Sequence, residues 1–217
     1  MLKKIKKIIL DLIFPIQCLG DCGKWDTWFC QNCLTRIEKH VHVLEKPSPN
    51  IDQIFFATDY TELISKLVHF YKYKYVREIS QPLAKIMLAG LPSNKRFDCL
   101  VFVPLHKKKE LVRSFNQTYL LAKYISQKTE TPIIKGTLQR KKATQIQAQL
   151  DKKQRLLNVK NAFICLNKKA VQDKQILLID DIYTTGSTLE ACAKCLKLAG
   201  AKSVTGLTIA KGKFTTK

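Results

Sequence analysis

Short unbroken apolar runs alternate along this chain with longer stretches in which apolar residues recur every three or four positions. "FDCLVFVPLH" (97–106) and "QILLID" (175–180) are continuous apolar runs and read as strands buried on both faces. "IDQIFFATDY" (51–60), "SVTGLTIAKG" (203–212) and "PIIKGTLQR" (132–140) read as further strands. "TELISKLVHFYKY" (61–73), "EISQPLAKIMLAGL" (78–91), "NQTYLLAKYISQKT" (116–129) and "STLEACAKCLKLAG" (187–200) carry the 3.6-residue period of helices. Asn116 is placed to cap the third of these and Gly200 to end the fourth. "KKATQIQAQLDKKQRLLN" (141–158) is polar without a clean period and reads as a mobile segment. Strands alternating with helices predict an α/β fold with a largely parallel sheet. The Pro-rich "EKPSPN" (45–50) marks a break, so the chain divides into 1–48 and 49–217.

The ends of the chain and its composition narrow the class. The start, "MLKKIKKIILDLIFPIQC", is basic and then apolar, but Asp11 interrupts the run and no small-residue cleavage site follows. It is too short for a membrane span and reads as an amphipathic helix on a cytoplasmic protein. The 217 residues, 46% hydrophobic, suffice for one sizeable core and a small satellite. Lys and Arg number 38 against 17 Asp and Glu, a net charge of +21, which favours polyanionic partners such as nucleic acid or phosphorylated molecules.

Four of the eight cysteines, Cys18, Cys22, Cys30 and Cys33, follow C-x3-C-x7-C-x2-C. Two close pairs can place four thiolates around a tetrahedral Zn²⁺, a closed structural site that folds a segment lacking a core of its own. Two disulfides or four free thiols are the alternatives, and a reducing compartment favours the metal. His40 and His42 are further ligand types nearby, read as surface residues. Cys192 and Cys195 form a C-x-x-C but share a helix face with Leu189, Leu196 and Ala199, and so read as packing. Cys99 and Cys165 lie in strand-like apolar runs.

The chemistry concentrates in "ILLIDDIYTTGST" (176–188). In open α/β sheets ligands bind beyond the carboxyl ends of the strands, where Asp180 and Asp181 stand. The turn Thr184-Thr185-Gly186-Ser187-Thr188 then enters a helix whose first N–H groups and dipole suit a phosphate, and Gly186 permits close approach. It is no Walker A loop, since G-x-x-x-x-G-K-[ST] is absent. Two adjacent carboxylates would repel a bare triphosphate, but they accept hydrogen bonds from a vicinal diol. A ribose 5-phosphate satisfies both halves.

"LLIDDIYTTGST" closely resembles the PRPP-binding motif of type I phosphoribosyltransferases. "VFVPLHKKKELVRSFNQTYLLA" resembles the ComF branch of that superfamily at Pro104, Leu105, His106, Arg113, Phe115, Asn116 and Gln117, with Ser114 where the pattern has Gly. "LQRKKATQIQAQLDKKQRLLNVKNAF" matches at Arg140, Thr144, Gln147, Leu150, Arg155, Asn158, Ala162 and Phe163, and the K-Y segment at Lys72 and Tyr73. With the cysteine cluster, the likeness to the ComF/GntX family spans nearly the whole chain. It implies a type I phosphoribosyltransferase-like α/β fold, a mostly parallel sheet flanked by helices, with a small amino-terminal four-Cys zinc finger. It also implies a part in DNA uptake by natural transformation and a competence helicase as partner. Carried over, Thr184 to Thr188 hold the 5-phosphate of PRPP, Asp180 and Asp181 its ribose hydroxyls, and Leu105, His106 and Lys107 its pyrophosphate. Mg²⁺ arrives with PRPP and takes few ligands from the protein. The segment from Arg140 to Gln147 is the candidate hood that excludes water.

"HFYKYKYVRE" interleaves Phe70, Tyr71, Tyr73 and Tyr75 with Lys72, Lys74 and Arg77. It reads either as a stacking platform for single-stranded DNA or as a strand with at least two tyrosines in the core. Lys72, Tyr73, Lys74, Arg77, Arg113 and Arg140 are the candidate single-stranded-DNA contacts. Two readings of function result. One is a zinc-braced DNA-handling factor of transformation that binds PRPP and single-stranded DNA. The other is an active PRPP-dependent transferase with an unidentified acceptor.

Overall fold

The computed structural model describes residues 15–37, 42–141 and 162–212. The amino-terminal helix, His40 and the hood beyond Lys141, with Thr144, Gln147, Leu150, Arg155 and Asn158, lie outside the described residues.

Six strands form the main sheet. β1 (His42–Ser48) and β2 (Ile51–Asp59) make an antiparallel hairpin. From β2 the sheet runs parallel through β8 (Ser203–Lys211) and β6 (Gln175–Ile179) to β3 (Cys99–Phe102). The two-residue β7 (Ile182–Tyr183) continues along β8. The order β1-β2-β8-β6-β3 is the mostly parallel sheet the sequence predicts. β1 has no counterpart in that reading, because its Pro47 signalled a break. As an edge strand, β1 accommodates a residue without an N–H, and the pairing is irregular between Glu45 and Ser48. β4 (Leu138–Arg140) and β5 (Phe163–Cys165) form a separate antiparallel pair.

The unbroken run of β6 is explained by two covered faces. Ile176 and Leu178 pack with Ile54, Phe56 and Val101 beneath α7 (Ser187–Leu198), through Leu189, Cys192, Ala193 and Leu196. Leu177 and Ile179 face the other way, into a core shared with α2 (Glu62–Tyr73), α3 (Ser80–Ala89) and α5 (Gln117–Thr129). Cys192 is fully buried, and Cys195 Sγ lies 3.3 Å from the Phe163 carbonyl, as packing residues would be. Asn116 caps α5 as its position predicts, accepting from the N–H groups of Thr118 and Tyr119. The Thr61 hydroxyl caps α2.

The helix expected over 61–73 is observed as α2, and the alternative strand reading of "HFYKYKYVRE" is corrected: residues 69–73 follow a helical, not an alternating, period. Only Tyr71 of the three tyrosines is core, at 0% exposure, and its hydroxyl donates to the Gln117 carbonyl at 2.7 Å. Tyr73 and Tyr75 are 55% and 42% exposed, because the helix ends between them and Tyr75 turns to φ 58°.

The cysteine segment packs onto the same core. Cys18, Leu19, Phe29, Cys30, Cys33, Leu34 and Ile37 join the α2 side of the sheet, and the Trp28 ring lies 6.0 Å from that of Phe70. No described helix is long and apolar enough to cross a membrane.

Candidate functional site

A cavity of about 420 Å³ opens where β3 and β6 end. Asp180 and Asp181 form one side of it, directly beyond Ile179. The backbone pins them: the Asp180 N–H donates to Leu207, and the Asp181 carbonyl accepts from Ile209. Asp180 is buried, and its Oδ1 accepts the Asp181 N–H at 2.9 Å. Burial first, and the Asp181 charge second, push its carboxyl up to about 7, against the opposing pull of Lys72 and Arg140. Asp181 Oδ1 accepts from the Ile182 N–H at 2.6 Å and from the Lys72 ammonium at 2.9 Å. An ammonium therefore stands where a divalent cation would approach this carboxylate.

The turn after the acids forms a second wall. Thr184, Gly186 and Thr188 line the cavity. Thr185 and Ser187 are not among its lining residues; their hydroxyls lie 2.8 Å apart and bond to one another. Gly186, at φ 74°, is the residue before α7. A Cβ there would sit 2.6 Å from the Tyr183 hydroxyl, so the position admits only glycine without rearrangement.

Four cationic side chains, Lys72, Lys109, Arg113 and Arg140, also line the cavity. The Lys109 ammonium is held below its ordinary pKa, by burial and then by Arg140, Arg113 and Lys72. Leu105 lines the cavity, whereas His106 is not among its lining residues and lends its carbonyl to the Lys109 and Glu110 N–H groups. The predicted pyrophosphate loop thus runs at once into the short helix α4 (Lys107–Arg113). The side chain of Lys107 is outside the described residues.

The sequence reading missed part of the lining. Ser65, Val68 and His69 join Lys72 and Tyr73 on one stripe of α2, at intervals of three and four. The helical period expected over 61–73 carried that signal, since it sets these positions on one face. Gln117, matched only as a motif residue, also lines the cavity. It is 1% exposed, and among the described residues neither its amide nitrogen nor its amide oxygen has a hydrogen-bond partner.

The basic candidates separate into two groups. Lys72, Tyr73, Arg113 and Arg140 belong to the cavity, where the Arg113 guanidinium lies 5.5 Å from the Tyr73 ring and His69 stacks at 5.1 Å. Lys74 and Arg77 do not. Lys74 follows α2 in solvent. Arg77 donates to the Ser114 carbonyl at 2.6 Å and covers the Phe115 ring at 4.9 Å. Ser114 itself has φ 60°, which explains a glycine in the family pattern.

The four predicted metal ligands come together. The sulfurs of Cys18, Cys22, Cys30 and Cys33 all lie within 4.8 Å of one another, with Cys22 and Cys30 3.6 Å apart. Sulfurs at ~2.3 Å from a tetrahedral zinc are separated by roughly 3.8 Å, so the cluster suits such an ion. A 3.6 Å gap is far longer than a disulfide bond, and all eight cysteines are free. The backbone N–H of Cys33 at the Cys30 sulfur lowers that thiol to about 6. Gly20 is required by the packing, since a Cβ there would meet the Cys33 sulfur at 2.4 Å.

The phosphoribosyl transferase domain family matches residues 111–216, which include the acids, the turn, Arg113 and Arg140. The chain is 34% identical to the DNA utilization protein YhgH of Salmonella typhi, over 74% of this chain and 72% of that one. It is 28% identical to competence protein F of Haemophilus influenzae, over 85% of this chain and 80% of that one. With competence protein ComFC of Bacillus subtilis the identity is 28%, over 87% of this chain and 70% of that one.

Proposed function

This chain belongs to the family of competence protein F and the DNA utilization protein YhgH, with a phosphoribosyl transferase domain, and on that premise we propose that it binds PRPP in the cavity beyond β6 and acts on single-stranded DNA during uptake. One observation carries the ligand: two carboxylates at a strand end share a cavity of about 420 Å³ with four cationic side chains, and a glycine turn enters a helix beside them. The carboxylates suit a ribose diol, the turn its 5-phosphate, and Lys109, Arg113 and Arg140 a pyrophosphate. The four thiolates hold a structural zinc that braces the amino-terminal segment in a cytoplasmic protein. Mg²⁺, where it enters, comes on the ligand's own oxygens. A thermal-shift series with PRPP, ribose 5-phosphate and pyrophosphate tests the reading. PRPP should raise the melting temperature most, and a response to pyrophosphate alone would refute it.

The DNA part rests on the net charge of +21 and on the exposed Tyr73 beside Arg113 at the cavity rim. Affinity for an oligonucleotide should fall steeply as salt rises. A flat salt dependence would remove this part alone.

A transferase activity is the second reading, favoured by the size of the cavity and by Tyr60, His69 and Tyr73 on its lining, which leave an aromatic wall for an acceptor. The chain's part would be to orient the sugar and to stabilise the departing pyrophosphate with its cations. Pyrophosphate release from PRPP with candidate acceptors is the measurement, and thermal stabilisation without release for any acceptor leaves binding only.

A further inference from the structure

Lys72 already neutralises one of the two acids at the end of β6. It lies in the last turn of α2, and its ammonium stands 2.9 Å from Asp181 Oδ1. Both side chains are largely buried, at 20% and 15% exposure, so this is no loose surface pair. The same oxygen accepts the Ile182 N–H at 2.6 Å, and Asp180 Oδ1 is engaged by the Asp181 N–H. Mg²⁺ demands near-octahedral oxygen ligands at about 2.0–2.1 Å. It could not take Asp181 Oδ1 without expelling the ammonium.

An ammonium has three donors and no acceptor. One reaches Asp181, and the cavity that Lys72 lines offers the others to a ligand. Lys109, Arg113 and Arg140 line the same space, so with Lys72 the chain itself offers four cationic side chains to a pyrophosphate entering it.

We propose that Lys72 is a positioning residue that supplies, from the chain itself, the bridging positive charge between Asp181 and the ligand's pyrophosphate, so that PRPP binds here without Mg²⁺. This rests on the reading of the cavity as a PRPP site and specifies how that site neutralises its ligand. The bridge is a charge-assisted hydrogen bond on either side of one nitrogen.

Calorimetric titration of the full chain with PRPP, in excess EDTA and in millimolar Mg²⁺, tests it. The two affinities of the wild type should agree within about threefold. Lys72→Met should bind at least about tenfold more weakly in EDTA. Mg²⁺ should restore most of that loss, because the vacated oxygen then admits the ion. Lys72→Arg, which keeps the charge, should lose less than Lys72→Met. Wild-type binding only with Mg²⁺ overturns this inference and leaves the PRPP site standing. Unchanged or tighter binding by Lys72→Met also overturns it, since the lysine would then be a bystander or a competitor. No binding in either buffer removes the PRPP reading and this inference together. Should Lys72→Met fail to fold, the wild-type pair of titrations decides alone.

Discussion

The Lys72 ammonium rests 2.9 Å from Asp181 Oδ1, so a helix from one side of the sheet closes onto an acid at the end of β6. In the proposed reading, the pair and its neighbour Asp180 hold the sugar end of the ligand. Replacing both acids by alanine, Asp180→Ala with Asp181→Ala, should abolish the rise in melting temperature that PRPP produces. Metal content, measured by plasma emission, should not change, because the four cysteines lie apart from the acids in sequence and are absent from the cavity lining. Undiminished stabilisation in the double variant would show that the diol lies elsewhere.

Asp180 also sets a pH dependence. Burial holds its carboxyl up at about 7 in the folded chain, whereas an unfolded aspartate titrates near 3.8. Between those values the folded state keeps a proton that the unfolded state has lost. Stability therefore falls as pH rises through this window, by an amount on the order of a few kcal/mol. Asp180→Asn exchanges no proton, so its urea-unfolding free energy should decline less than the wild type's between about pH 4.5 and 7.5. Parallel curves would mean that Asp180 is ionised throughout.

Gly186 is constrained twice, by φ 74° and by the Tyr183 hydroxyl 2.6 Å from any added Cβ. Gly186→Ala should cost about 1–3 kcal/mol of stability, read by urea unfolding. It should also weaken PRPP binding, since the turn must shift to admit the methyl group. A variant as stable as the wild type would mean that the turn relaxes freely.

Much of this was legible in the chain. The run Ile176 to Ile179 announced a strand covered on both sides, and Asp180 and Asp181 announced its carboxyl end. Asn116 announced a helix start. Three things were not legible. The cavity is assembled from segments more than a hundred residues apart, so the placement of Lys72 against Asp181 depends on tertiary packing. The lysines of "YKYKY" alternate in sequence, but a helix end at Tyr73 sends one into the cavity and the next into solvent. Pro47 suggested a break, because local chemistry cannot tell a linker from an edge strand.

The cysteine cluster depends on a residue with no side chain. Gly20→Ala would drive a methyl group into the Cys33 sulfur, 2.4 Å away. The variant should purify with less than the roughly one zinc per chain expected of a four-thiolate site. Its melting temperature should fall, as should that of the wild type after prolonged chelation. Full metal content in Gly20→Ala would mean that Cys33 is not a ligand.

Gln117 buries an amide without partners among the described residues, although its own carbonyl is held by the Tyr71 hydroxyl at 2.7 Å. An unsatisfied buried amide costs about 1–3 kcal/mol, so Gln117→Leu should stabilise the unliganded chain by about 1 kcal/mol in urea unfolding. Destabilisation would reveal that a water or another group already satisfies the amide.

Helix α2 is gripped from three directions. Tyr71 anchors it in the core, Phe70 lies against Trp28 of the cysteine segment, and Lys72 reaches the acid. Three successive residues thus join the hydrophobic interior, the cysteine segment and the cavity on a single helix. Should the cysteines hold zinc and the cavity PRPP, as proposed, damage at the thiols would have this helix as its path to a ligand that no sulfur lines.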